Sequence, residues 1–242
     1  MQRPTGPQQF APPPLPPAVR NLLIGLFAML VVELILKNIG VVLWDSVAWR
    51  PLRAGFAVEQ LPLHYLSQSP TRGGISSTLF GMLVIYFFLP NAVADLGAKA
   101  VRDAVISAAA GGIIIGMLAD AAGLVGGAAW GWTGLVTSLV VLFGLSRPNG
   151  IVLLFFVIPA PGWLFVWGTL VIEVLMFMAD RSLDTTETLG VWAGTFAWWH
   201  LLGPGGRRRS LIKKSKTIEK ELSHLRVIDG GRSGNEDDEL IH

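Results

Sequence analysis

The chain has 242 residues, 52% hydrophobic and only 15% charged, with a net charge of +2. A soluble domain carries about 25% charged residues, so this composition, with a mean hydropathy of +0.54, excludes an ordinary water-soluble fold and points to a core lying in lipid. The absence of cysteine excludes disulfides, thiolate catalysis and zinc–thiolate centres.

Taken in order, residues 1–20 carry Pro12-Pro13-Pro14-Leu15-Pro16-Pro17 and read as an extended, Pro-rich tail. A membrane domain is expected over 21–205, with spans at about 22–43, 75–89, 105–122, 132–145, 163–179 and 189–202. Glu33 and Lys37 lie in the first span at i,i+4, and Glu173 lies in the fifth. Ionisable groups at membrane depth are functional candidates by default, so a small-solute transporter is one reading. The two halves show no matching broken helices, as an inverted-repeat transporter would. The stretch 44–74 is too apolar for disorder and reads as an interfacial element, with Trp49, Arg50, Phe56, His64 and Tyr65 at the membrane surface.

The second span is expected to stop at Pro90, followed by a polar turn carrying Asp95, Lys99, Arg102 and Asp103. Gly112 and Gly116 in the third span, and Gly190 and Gly194 in the sixth, have the small-xxx-small spacing of close helix contacts. Ile151 to Ile158 is apolar but only eight residues long, and Pro159 and Pro161 follow it, so a buried or re-entrant connection is expected.

Beyond Gly203-Pro204-Gly205-Gly206, residues 206–242 form a tail that is first basic, then acidic. Arg207, Arg208, Arg209, Lys213 and Lys214 follow the last span at once, which marks the cytoplasmic side and predicts contact with anionic lipid. That placement also accounts for the pI near 9.2 without a nucleic-acid partner. Six spans then put both termini in the cytoplasm of a bacterial-type inner (plasma) membrane.

Four motifs in order carry a resemblance: Trp49-Arg50 in the first loop, Ile75 to Leu83 in the second span, Gly131-Trp132-Thr133-Gly134 opening the fourth, and Gly190-Val191-Trp192-Ala193-Gly194 in the sixth. The set resembles the rhomboid family of intramembrane serine proteases over residues 21–205. The resemblance implies an all-α membrane protein, a rhomboid-like bundle of six transmembrane helices, with Trp49, Arg50, Gly131, Gly134, Gly190 and Gly194 as framework positions. It also implies a nucleophile at Thr133, a base at Glu187 (Thr188 if the register slips by one), and side-chain oxyanion donors at Ser77 and Gly81.

At each of those positions the residue departs from the family's pattern, which has Ser, His, His and Asn there. The remaining histidines do not restore the set: His200 lies at the opposite end of the last span, His224 in the tail, and His64 in the first loop. The expected function is a proteolytically inactive pseudoprotease that binds transmembrane client segments, with no metal and no cofactor. An active intramembrane endopeptidase using Thr133, with Glu187 as its base, is the alternative. The bland roles are helix capping for Thr133 and a favourable early-helix charge for Glu187.

Overall fold

The computed structural model describes residues 15–41, 64–65, 72–154, 158–206 and 217–218. Trp49, Arg50, the Arg207–Lys214 cluster and His224 lie outside the described residues. The described chain is mostly helical, in the order α1 (Pro17–Asn38), α2 (Arg72–Leu96), α3 (Ala98–Ala121), α4 (Trp132–Ser146), a β1–β2 hairpin, α5 (Gly162–Ala179) and α6 (Leu183–Leu201). Among the described residues four helices are long and apolar enough to cross a bilayer: α1, α2 from Gly74, α3 and α5. This is an all-α, multi-pass integral membrane protein.

Local chemistry sets several of the boundaries. Pro17 starts α1, where its missing N–H costs nothing, and Lys37 sits in the last turn, where the helix dipole favours a cation. Pro90 does not end the second helix, as expected from sequence; α2 continues to Leu96. The break it forces is one backbone bond, and a helix in lipid has no water to take over the others. The Asn91 side-chain amide donates to the Phe87 carbonyl at 2.6 Å beside it. Gly97, at φ 83°, is the single residue between α2 and α3, a backbone setting only glycine adopts without strain. Lys99, Arg102 and Asp103 therefore lie on α3 rather than in a turn.

The sixth helix begins at Leu183, six residues ahead of the expected start. Ser182 caps it by accepting from the Thr185 amide at 3.3 Å, and the polar Asp184–Glu187 turn is helical although not apolar. Ile151 to Ile158 is corrected too. β1 (Ile151–Leu154) pairs antiparallel with β2 (Ile158–Pro161), a hairpin with Ile151 67% exposed at one end and Ala160 buried. Eight residues cannot cross as a helix, and pairing with the following strand satisfies the backbone instead.

The 15-residue α4 is the hub: ten of its residues are buried, and it packs against α2, α3, α5 and α6. Leu26 of α1, Val84 and Ile85 of α2, and Trp132, Val136 and Leu139 of α4 form one apolar cluster. The most extensive contact joins α3 to α6. A Cβ on Gly190 would sit 2.6 Å from the Gly111 carbonyl oxygen, and one on Gly194 would sit 2.6 Å from that of Ser107. The two backbones therefore touch, as small-residue spacing allows in lipid. At the end remote from Gly131, Arg147 donates Nε to Asp95 Oδ2 at 2.6 Å and Nη2 to Oδ1 at 2.7 Å, joining α2 to the cap of α4.

Candidate functional site

The start of α4, the start of α6 and the middle of α3 converge around two residues from the α1–α2 connection, His64 and Tyr65. The Gly131 amide donates to the His64 carbonyl at 3.1 Å. His64 Nε2 and Glu187 Oε1 share a hydrogen bond of 2.6 Å, with side-chain exposures of 0% and 2%. The Tyr65 hydroxyl donates to the Ala109 carbonyl on α3 at 2.8 Å, and its ring lies 4.0 Å from the imidazole, centroid to centroid. Burial, and then the neighbouring Glu187 carboxylate, hold the Tyr65 phenol above its ordinary pKa.

Glycines make room for this wedge. A Cβ on Gly131 would lie 2.6 Å from Tyr65 Cδ1 and 2.9 Å from His64 Cδ2, and one on Gly112 would lie 2.8 Å from the Tyr65 oxygen. The Gly-rich connection before α4 is tied to α6 as well. The Leu183 amide donates to the Gly126 carbonyl at 2.9 Å, and the Trp130 amide donates to Asp184 Oδ1 at 2.8 Å. Beside these ties lies an open cleft of about 490 Å³, lined by Gly126, Gly127, Trp130, Asp180, Arg181 and Asp184 among others.

The residues singled out in the sequence fall into two groups. Gly131, Gly134, Glu187 and Gly190 are buried around the wedge, with Gly134 facing Val191 of α6. Gly81 on α2 is buried beneath Trp132, where an added Cβ would meet the indole Nε1 at 2.7 Å. Ser77 is exposed; its backbone carbonyl accepts from the Trp132 indole at 3.5 Å. Thr133 is exposed, and its hydroxyl makes no hydrogen bond among the described residues. The position resembling the nucleophile is therefore not paired with the position resembling the base. Thr188 is buried and donates to the Asp184 carbonyl at 2.9 Å.

His200, remote from the wedge, packs against Phe196 with ring centroids 4.3 Å apart. Glu33 is buried on α1, which packs against α2, and Lys37 is exposed. Glu173 is buried on α5 and accepts from Thr137 Oγ1 of α4 at 3.3 Å.

Two residues of this centre escaped the sequence reading. His64 and Tyr65, expected at the membrane surface, are both buried inside the protein. The sequence held one usable signal, an imidazole in an outer loop and an acid at the position resembling the family's base, which is a complementary pair. Nothing in the spacing joins residues 123 positions apart. Chemically the pair can hold or pass a proton, and among the described residues Thr133 is not hydrogen-bonded to either partner. Among the described residues no group of three or more His, Asp or Glu side chains is arranged to hold a metal ion. The chain matches no protein-family model, no curated protein and no solved structure.

Proposed function

We propose that this chain is a rhomboid-like pseudoprotease, a six-span membrane protein that binds transmembrane segments of client proteins without cutting them. The observation that carries the reading is the His64–Glu187 hydrogen bond of 2.6 Å, sealed from solvent while Thr133 is exposed. A hydrolase needs its base within about 2.6–3.2 Å of the nucleophile's hydroxyl. Here the acid at that position is occupied by another side chain, and His64 and Tyr65 fill the space beside Gly131. What remains is a membrane framework with a filled centre, an open outer cleft and long apolar helix faces, which suits holding a helix rather than hydrolysing one.

The same reading puts both termini in the cytoplasm of an inner (plasma) membrane, with Arg207, Arg208, Arg209, Lys213 and Lys214 on anionic lipid. The second reading, an endopeptidase, draws on the same pair: His64 oriented by Glu187 would serve a threonine nucleophile if Thr133 turned toward it.

One experiment separates the two. The purified protein in lipid nanodiscs is incubated with a labelled single-span model substrate. The pseudoprotease reading expects retention of the intact substrate and no product. A cleavage product that disappears in Thr133→Ala would overturn it in favour of the endopeptidase.

A further inference from the structure

Resting on the client-binding reading above, we propose that Glu173, with Thr137, is an intramembrane docking point for a lysine or arginine carried within the membrane-spanning helix of a client. α5 is held to the protein along a narrow stripe, and its buried residues are Gly162, Val166 and Glu173. The first two pack tightly. A Cβ on Gly144 of α4 would lie 2.5 Å from the Gly162 carbonyl oxygen and 2.6 Å from Val166 Cγ2. Seven residues further along the stripe, where an apolar side chain would continue the seam, stands a carboxyl group.

That carboxyl is poorly served. The hydrogen bond it accepts from Thr137 is 3.3 Å long, against the 2.5–3.0 Å of a good O–H···O bond. One hydroxyl proton also falls short of a carboxylate's roughly four acceptor sites. An apolar residue of similar volume would fill the place without the desolvation penalty, so packing does not account for Glu173. Among the described residues no salt bridge reaches Glu173.

The complementary group is a cation that faces the same problem. A lysine or arginine within a spanning helix is as costly in lipid as a carboxylate, and pairing relieves both. Access is lateral. Ile172 and Val174, on either side of Glu173 in sequence, are exposed at 55% and 40%, so the α5 surface flanking the buried carboxyl is open to a neighbouring helix. Glu173 is six residues before the end of α5, about 9 Å along the axis, a depth that long basic side chains reach by snorkelling.

The test uses the full chain in nanodiscs of neutral lipid and labelled single-span Leu/Ala peptides, with binding read by energy transfer. One peptide carries a single Lys at the depth of Glu173, a second carries Leu there, and a third carries the Lys two turns away. The matched Lys peptide is expected to bind about ten-fold more tightly than the other two, and Glu173→Gln, which keeps the shape, is expected to remove that preference. Equal binding of Lys and Leu peptides, or a Lys preference that survives Glu173→Gln, would overturn the docking point while leaving client binding intact. Failure of every peptide to bind would overturn both readings.

Discussion

His64 and Glu187, 123 positions apart in sequence, meet through a 2.6 Å hydrogen bond with their side chains almost wholly hidden from solvent. Removing one partner of a buried pair strands the other, which typically costs about 3–5 kcal/mol. His64→Leu and Glu187→Leu are each expected to lower stability by roughly that amount in detergent unfolding experiments. The double variant should lose less than the sum, because no lone polar group is left behind. Strict additivity would mean the two groups do not interact in the membrane-embedded protein.

Tyr65 supplies a pH signature of the same wedge. Its phenol is held above the ordinary value of about 10, chiefly by burial. The folded state resists ionisation that the unfolded state undergoes, so stability is retained below about pH 10 and falls as pH rises beyond it. Tyr65→Phe removes that contribution, and its stability should fall less steeply above about pH 10 than the wild type's. At neutral pH the variant loses the hydrogen bond to the Ala109 carbonyl, which keeps its helical donor, at a cost of about 0.5–1.5 kcal/mol. Parallel stability–pH profiles for the two proteins would place Tyr65 outside the buried centre.

The α3–α6 seam makes a prediction with two signs. A Cβ at Gly190 collides with backbone at Gly111 and Gly112, whereas nothing lies within 4 Å of one at Gly168 on α5. Gly190→Ala is expected to destabilise by about 1–3 kcal/mol or more through overpacking. Gly168→Ala, in an open helix interior, should be stabilising by about 0.5–1 kcal/mol. The order of the two midpoints in thermal unfolding checks both at once, and a reversed order would refute the contact.

For the tail, a peptide covering residues 206–242 should bind vesicles containing anionic lipid, each basic residue contributing about 1 kcal/mol near the surface. Replacing Arg207, Arg208, Arg209, Lys213 and Lys214 by Gln should weaken the salt-sensitive part of that binding. Equal binding to neutral and anionic vesicles would leave the cluster as a topology signal alone. Reporter fusions at residues 1 and 242 are expected on the same, cytoplasmic side.

The sequence was informative wherever lipid imposes a rule. Long apolar runs became helices, Gly190 and Gly194 became a contact seam, and Gly131 stood at the opening of the central helix, because in each case local composition decides the outcome. It was misleading where backbone physics overrides a breaker. Pro90 is such a case, since in lipid the rest of the helix has no alternative partner for its peptide groups. Hydropathy also placed the start of α6 at Leu189, because it detects lipid and not helix; the capping serine at 182 was the better sign. Least legible was the centre itself. His64 owes its place to a tertiary pairing with Glu187, and no local pattern encodes a partner contributed by a different helix.

Gly97 has a mechanical consequence. It is the whole connection between two helices of 25 and 24 residues, so the joint has no slack to absorb a change in their relative angle. If the end of α2 remote from Gly97 tilts to admit a neighbour, the tilt is transmitted through that one residue to α3, and from α3 through its glycine contacts to α6. The Asp95–Arg147 tie beside the joint anchors the same corner to α4. Tyr65 and Glu187 meet α3 at Ala109 and Gly112, about halfway along its length, so a change of angle at Gly97 would be felt at that wedge.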